Sequence, residues 1–269
     1  MTSERTHLIV TGVGRSGTTA LAKLLNAHPR ACIGIERFKF RFLRANDYDA
    51  GLFGKARFFD FREGDTNLRP EVRPAWRATY DEMARKWDHA RVVGDKVPDM
   101  EPVLRDFLEA NPGFRAIAIL RNLADVGLSW QARATNRSDA WPSSRGFVAA
   151  CRAWPAQMAQ LHALMQDRTL RDRILVLDYD RMYADPPATG RLLLSFLDLP
   201  PSPVFAAQLS RDAAFAAGRP PRHVPRRFRE AYGAADRDAW RRLRKVAAHQ
   251  AAPGGGVPVG PASVPGAAE

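Results

Sequence analysis

Along the chain, short unbroken apolar runs alternate with longer stretches in which apolar residues recur every three or four positions. The runs near 7–12, 31–35, 91–94, 114–120 and 173–178 predict buried β-strands, because a strand covered on both faces is apolar throughout. The periodic stretches 17–27, 99–110, 124–136, 144–166, 187–198 and 237–249 predict amphipathic helices. Strands and helices in turn predict an α/β fold, with a central parallel sheet flanked by crossover helices in one domain over 1–250. No internal repeat interrupts this order. Residues 251–269 are Gly, Pro, Ala and Val with almost no charge, which predicts a disordered tail.

The first strand runs into a glycine-rich turn, Thr11-Gly12-Val13-Gly14-Arg15-Ser16-Gly17-Thr18-Thr19-Ala20-Leu21. Glycines at 12, 14 and 17 let the backbone curl and approach a ligand closely. The curl and the helix behind it make a hollow of N–H groups at the positive end of a helix dipole, which suits phosphate. Gly12 and Gly17 have the spacing of a nucleotide triphosphatase P-loop, yet Thr18 stands where its Lys belongs. The cation is Arg15, inside the loop. A phosphate cradle without the triphosphate and metal machinery is the expectation.

A second motif follows the fourth apolar run. Arg121 ends that strand, and Ser129 lies eight residues on, about two helical turns along, so both can converge on one anion. A third stretch, 173–200, places Asp185 as an N-cap before Pro186 and builds a core face from Leu192, Leu193, Phe196 and Leu197.

Together these three segments, with the trailing Asn26-Ala27-His28-Pro29, resemble the sulfotransferases that use 3′-phosphoadenosine 5′-phosphosulfate (PAPS), in their bacterial and carbohydrate-type branches. The resemblance implies a P-loop-like domain and a PAPS co-substrate. It implies that Gly14, Arg15, Ser16, Gly17, Thr18 and Thr19 form the 5′-phosphosulfate loop, and that Arg121 and Ser129 clamp the 3′-phosphate. Leu123 departs from the Pro usual in the second motif. Tyr179 is implied near the adenine. Arg222, in the basic run 219–229, matches the segment that closes over the 3′-phosphate, and a plain solvated loop is the alternative reading there. Arg15 would stabilise the leaving phosphate, as a fixed charge that cannot act as an acid.

A base is also needed for the acceptor's proton. Glu36 follows the second strand, where strand ends face the ligand crevice, and sits near the position of the base in carbohydrate-type relatives. Asp95 is the rival, and Lys96 beside it is a candidate contact for the sulfuryl group. Residues 37–90 are rich in Phe and Trp, which fits either an acceptor pocket or ordinary core.

Net charge is +12, with 41 basic residues dominated by Arg. A bisphosphorylated nucleotide needs such a basin, so no nucleic-acid partner is expected. Cys32 and Cys151 are too few for a disulfide framework, and the six His lack ligand spacing, so no metal is expected. No apolar run nears a membrane span or signal peptide, which points to a cytoplasmic enzyme. The acceptor is expected to be a small molecule, carbohydrate or lipid bearing a hydroxyl or amine. A P-loop nucleotide kinase and a catalytically silent binder of 3′-phosphoadenosine nucleotides are the alternatives; oligomeric state is left open.

Overall fold

Strands β1 (Thr6–Thr11), β2 (Ala31–Ile35), β3 (Val92–Lys96), β4 (Phe114–Leu120) and β5 (Ile174–Asp178) form one sheet ordered β2-β3-β1-β4-β5, with every pair parallel. The computed structural model describes residues 5–71, 73–220 and 222–252. The tail expected over 251–269 therefore lies almost wholly outside the described residues.

After β1 comes α1 (Thr18–Asn26), and between β2 and β3 come α2 (Lys39–Arg44), α3 (Lys55–Phe59) and α4 (Arg77–Lys86). Helix α5 (Leu104–Ala110) precedes β4, and α6 (Leu123–Ala134) and α7 (Phe147–Gln166) precede β5. The chain continues through α8 (Tyr179–Ala184), α9 (Pro186–Phe196), α10 (Pro203–Ala217), α11 (Arg229–Ala234) and α12 (Asp238–Gln250). The parallel α/β architecture read from the alternation of elements is the one observed.

Alternate residues of each strand enter different cores, since successive side chains point to opposite faces. On β4, Phe114, Ala116, Ala118 and Leu120 pack toward α5, α6 and α7, whereas Ile117 and Ile119 pack toward α1, α9 and α10. The aromatics Phe38, Phe42, Phe53, Phe58 and Trp87 are buried in the first of these cores. For those residues the core reading of 37–90 holds. Cys32 and Cys151 are buried and free.

Two boundaries differ instructively from the sequence reading. Strand β3 runs on to Lys96, because Lys96 pairs with both Val10 and Ile35. Asp95 and Lys96 thus lie within a strand and on opposite faces of it. The helix expected from 99 starts only at Leu104. Asp99 has φ 62, outside helical space, and its amide donates to the Gly12 carbonyl at 3.1 Å.

Beneath that turn, Glu101 is 3% exposed, and neither carboxylate oxygen has a partner among the described residues. Burial first, then the nearby Asp99, pushes its carboxyl up to about 8. The native state keeps this proton over a range where the unfolded chain, near 4.5, has released it. Stability from this group therefore falls as pH rises from about 4.5 to about 8. Glu101→Gln should flatten that slope and raise the melting temperature at pH 8 by on the order of 5 °C, with little gain at pH 5. Parallel melting curves for variant and parent across this range would remove the assignment.

Candidate active site

Order reverses about β1, with β3 on one side and β4 on the other, so a crevice opens at the carboxyl ends of these strands. The turn from β1 into α1 fills it. Gly17 has φ 109, and a Cβ there would lie 2.6 Å from the Tyr179 ring. Gly12 has φ 143, and its Cβ would meet the Ile119 carbonyl at 2.5 Å. Only glycine meets both demands, conformation and clearance.

The loop's donors divide into structural and free groups. The Gly14 amide donates to Asp99 Oδ1 at 2.7 Å, and its carbonyl accepts from Trp130 Nε1 at 2.7 Å. The Ser16 amide donates to the Val13 carbonyl, and its hydroxyl is buried with no partner among the described residues. The amides of Thr18 and Thr19, in the first turn of α1, have no intrahelical acceptor and open toward the crevice end of the helix. Arg15 takes a left-handed backbone (φ 79), and its Nε donates to Ser129 Oγ at 3.1 Å. The first and second motifs are thus joined by a direct side-chain contact.

A cavity of about 410 Å³ lies on this side, lined by Arg15, Thr18, Thr19, Arg121, Ser129, Tyr179, Arg219 and Arg222. Four guanidiniums and no carboxylate line it among the described residues. Arg121 stacks 4.2 Å from the Tyr179 ring centre and donates to Asp125 Oδ2 at 3.1 Å. Arg219 donates to the Tyr179 hydroxyl at 3.0 Å. Trp154 Nε1, from α7, donates to the Arg121 carbonyl at 3.0 Å and fixes the strand end. A space of about 360 Å³ shares Arg121, Tyr179, Arg219 and Arg222 and adds Tyr183, Ala213 and the carboxylates of Asp125 and Asp180.

On the opposite side of Arg15, a cavity of about 780 Å³ contains Glu36, Lys39, Lys96 and Asp99. Glu36 accepts from Lys96 Nζ and Lys39 Nζ, each at 2.8 Å. Burial alone would raise this carboxyl, but the two ammonium groups outweigh it and hold Glu36 below the usual carboxylate range. Burial lowers the Lys96 ammonium, and Glu36 opposes that shift. Asp95 is elsewhere: its two oxygens accept from the amides of Arg37 and Phe38 at 2.9 and 2.8 Å, and it lines neither cavity. Burial pushes the Asp95 carboxyl up to about 6.

Arg15, Thr18 and Thr19 line both cavities. Of the five non-glycine residues with positive φ among the described residues, three, Arg15, Glu36 and Asp99, line the larger one. Such conformations cost energy and gather where a site needs a fixed aim. The geometry suits an anion held beside Arg121 and Ser129, a second anionic group at Arg15, and an acceptor molecule facing Glu36. The residue order did not single out Asp99, or Lys39 as a partner of Glu36, and it held Arg219 only as the start of the basic run 219–229. Lys39, three residues after Glu36, was legible as a neighbour; Asp99 reaches Gly14 only through the tertiary fold.

No group of His, Cys, Asp and Glu that could hold a metal ion occurs among the described residues. Nor is any described helix long and apolar enough to cross a membrane. The sulfotransferase family model matches residues 7–203. No curated protein sequence matches significantly. Among solved structures, a sulfotransferase from Alicyclobacillus acidocaldarius aligns with 17% identity over 91% of this chain and 96% of its own, at a TM-score of 0.55. The sulfotransferase domain of the Synechococcus PCC 7002 olefin synthase aligns with 17% identity over the same shares, at 0.51. Mouse sulfotransferase SULT7A1, solved in complex with PAP, aligns with 14% identity over 91% of this chain and 90% of its own, at 0.51. At these identities the solved structures show a shared fold; by the family match over residues 7–203 of its 269, the chain belongs to the sulfotransferase family.

Proposed function

We propose that this sulfotransferase takes its sulfuryl group from PAPS and delivers it to a hydroxyl or amine of a small-molecule, carbohydrate or lipid acceptor. One observation carries the reading. Arg15 stands where an all-cationic cavity meets a second cavity holding a charged carboxylate.

On this reading Arg121, Ser129 and Arg222 hold the 3′-phosphate, and the space bounded by Tyr179, Tyr183 and Ala213 takes the adenine. The donor's phosphosulfate lies along Arg15, Thr18 and Thr19. Sulfuryl transfer between oxygens resembles phosphoryl transfer in passing through a loose transition state, so alignment and charge stabilisation do most of the catalysis. Arg15 offers a permanent fork to the charge growing on the bridging oxygen as the bond to sulfur breaks. Lys96 neutralises the sulfuryl oxygens. The acceptor O–H attacks in line, and its proton passes to Glu36.

A carboxylate held below its usual range is a weak base, which suits a loose transition state in which the proton leaves late. Lys39 and Lys96 keep Glu36 ionised and aimed. Asp95, spent on two backbone amides, serves instead to hold the turn that carries Glu36.

The donor assignment is tested with adenosine 3′,5′-bisphosphate against ATP–Mg²⁺. The former should raise the melting temperature by several degrees and the latter much less. The reverse order would favour a nucleotide kinase.

Within the donor site the two arginines should separate. Arg121→Ala should weaken binding of the bisphosphate by about 10- to 100-fold, the loss of a charge-assisted contact. Arg15→Ala should instead lower kcat by about 10²–10³-fold. Equal, small effects on both quantities would refute the division of roles.

Glu36→Gln should slow transfer by about 10²–10⁴-fold while leaving bisphosphate affinity within about threefold. In the parent enzyme the acid limb of the rate profile should lie below the usual carboxylate range, since protonation of Glu36 removes the base. A rate loss under about threefold would take the role away from Glu36.

A further inference from the structure

Cations crowd the larger cavity beyond what sulfuryl transfer alone requires. Arg15, Lys39, Arg73, Lys96, Arg133 and Arg145 line it, against Glu36, Asp99 and Asp139. Each carboxylate is already matched. Glu36 holds both lysines at 2.8 Å. Asp139 is gripped by Arg133 through two bonds, of 2.6 and 2.5 Å. Asp99 takes the Gly14 amide and Gln157 Nε2, leaving Arg145 Nη2 a long contact of 3.4 Å.

With Arg15 given to the sulfuryl donor, two further guanidiniums have unused donors. Arg73 has no side-chain partner among the described residues. Arg145 lies 4.4 and 4.8 Å from the ring centres of Trp130 and Trp141, and its side chain is 40% exposed. Each fork carries five N–H donors in a plane that matches a carboxylate or phosphate. The donor does not need them, because the other cavity supplies Arg15, Arg121, Arg219 and Arg222 for its phosphates. Trp76 and Trp141 line the same cavity and give it aromatic surface, with Lys23 5.4 Å from the Trp76 ring centre and Arg133 4.9 Å from that of Trp141.

We infer that the acceptor is itself an anion: a hydroxyl- or amine-bearing molecule that also carries a carboxylate or phosphate monoester, seated by Arg73 and Arg145 with its carbon skeleton against Trp76 and Trp141. This rests on reading the cavity as the acceptor site of a PAPS-dependent enzyme. It goes further, because that reading is indifferent to the acceptor's charge. A cationic acceptor would meet like charge in this cavity, and a neutral one would gain nothing from either fork.

Matched probes test it. The full-length protein, saturated with adenosine 3′,5′-bisphosphate, is titrated by calorimetry with glucuronate and glucose phosphate against methyl glucoside and glucosamine. Hydroxymethylbenzoate and hydroxymethylphenyl phosphate are likewise set against benzyl alcohol. In at least one set an anionic member should bind about tenfold or more tighter than its neutral partner, the worth of one charge-assisted contact. Carboxylate and phosphate arms tell the two anions apart.

Arg73→Gln, an exposed change, should bring the anionic-to-neutral affinity ratio down toward one, and Arg73→Lys should retain part of it. Neutral or cationic members binding as tightly as anionic ones, no member binding at all, or an unchanged ratio in Arg73→Gln would each overturn the inference. Failure of the bisphosphate itself to bind is a separate result, since it removes the donor reading and this inference with it.

Discussion

A buried ion pair at the ends of two adjacent strands organises the centre of this molecule. Lys96, 1% exposed, ends β3, and Glu36, 15% exposed, follows β2, with 2.8 Å between their charged atoms. Taking either charge out of water alone costs several kcal/mol, so the two are tolerable only together. Breaking such a pair costs on the order of 3–5 kcal/mol, which makes the register of β2 against β3 and the aim of Glu36 one problem. Lys39 contributes a second ammonium to Glu36, and the excess positive charge keeps the carboxylate ionised.

What supports that pair is a second layer of polar contacts that never face the cavities. Glu36 sits at φ 55, and the two following amides, of Arg37 and Phe38, are both capped by Asp95. Arg37, fully buried, donates to the carbonyls of Phe58, Arg57 and Asp60 and pairs with Asp65 at 2.7 Å. Its plane lies 4.4 and 4.1 Å from the ring centres of Phe38 and Phe61. Every donor group of this guanidinium is engaged, so burial of its charge ties the stretch after β2 to the strand ends. Rigid supports of this kind hold a reactive group where its own conformation is unfavourable.

Asp99 plays the corresponding part for the glycine-rich loop. By holding the Gly14 amide it leaves Arg15 as the residue that projects between the two cavities. Trp130 grips the other side of Gly14, and Ser129, its neighbour on α6, meets Arg15. One helical turn of α6 therefore couples the glycine-rich turn after β1 to the Arg121–Ser129 segment after β4. That coupling is why both belong to a single site.

Much of this was legible in the residue order, and for a local reason. Strand, turn and helix each depend on nearest neighbours, so the apolar runs marked the sheet, and the glycines at 12 and 17 marked the sharp turn that carries Arg15 into the crevice. Arg121 and Ser129 were legible as a pair because helical spacing links them. The sequence put Glu36 forward as the base and kept Asp95 as its rival, both at strand ends. Pairing of β3 through Lys96 separated them, turning Lys96 into the cavity and Asp95 into the backbone of the next turn. Asp99, Arg73 and Arg145 had no local signal whatever, since their place depends on chain segments far apart in order. Local chemistry determined the elements and the glycine-rich turn; which charges face one another across the crevice was decided by tertiary packing, because only there do buried charges have to find partners.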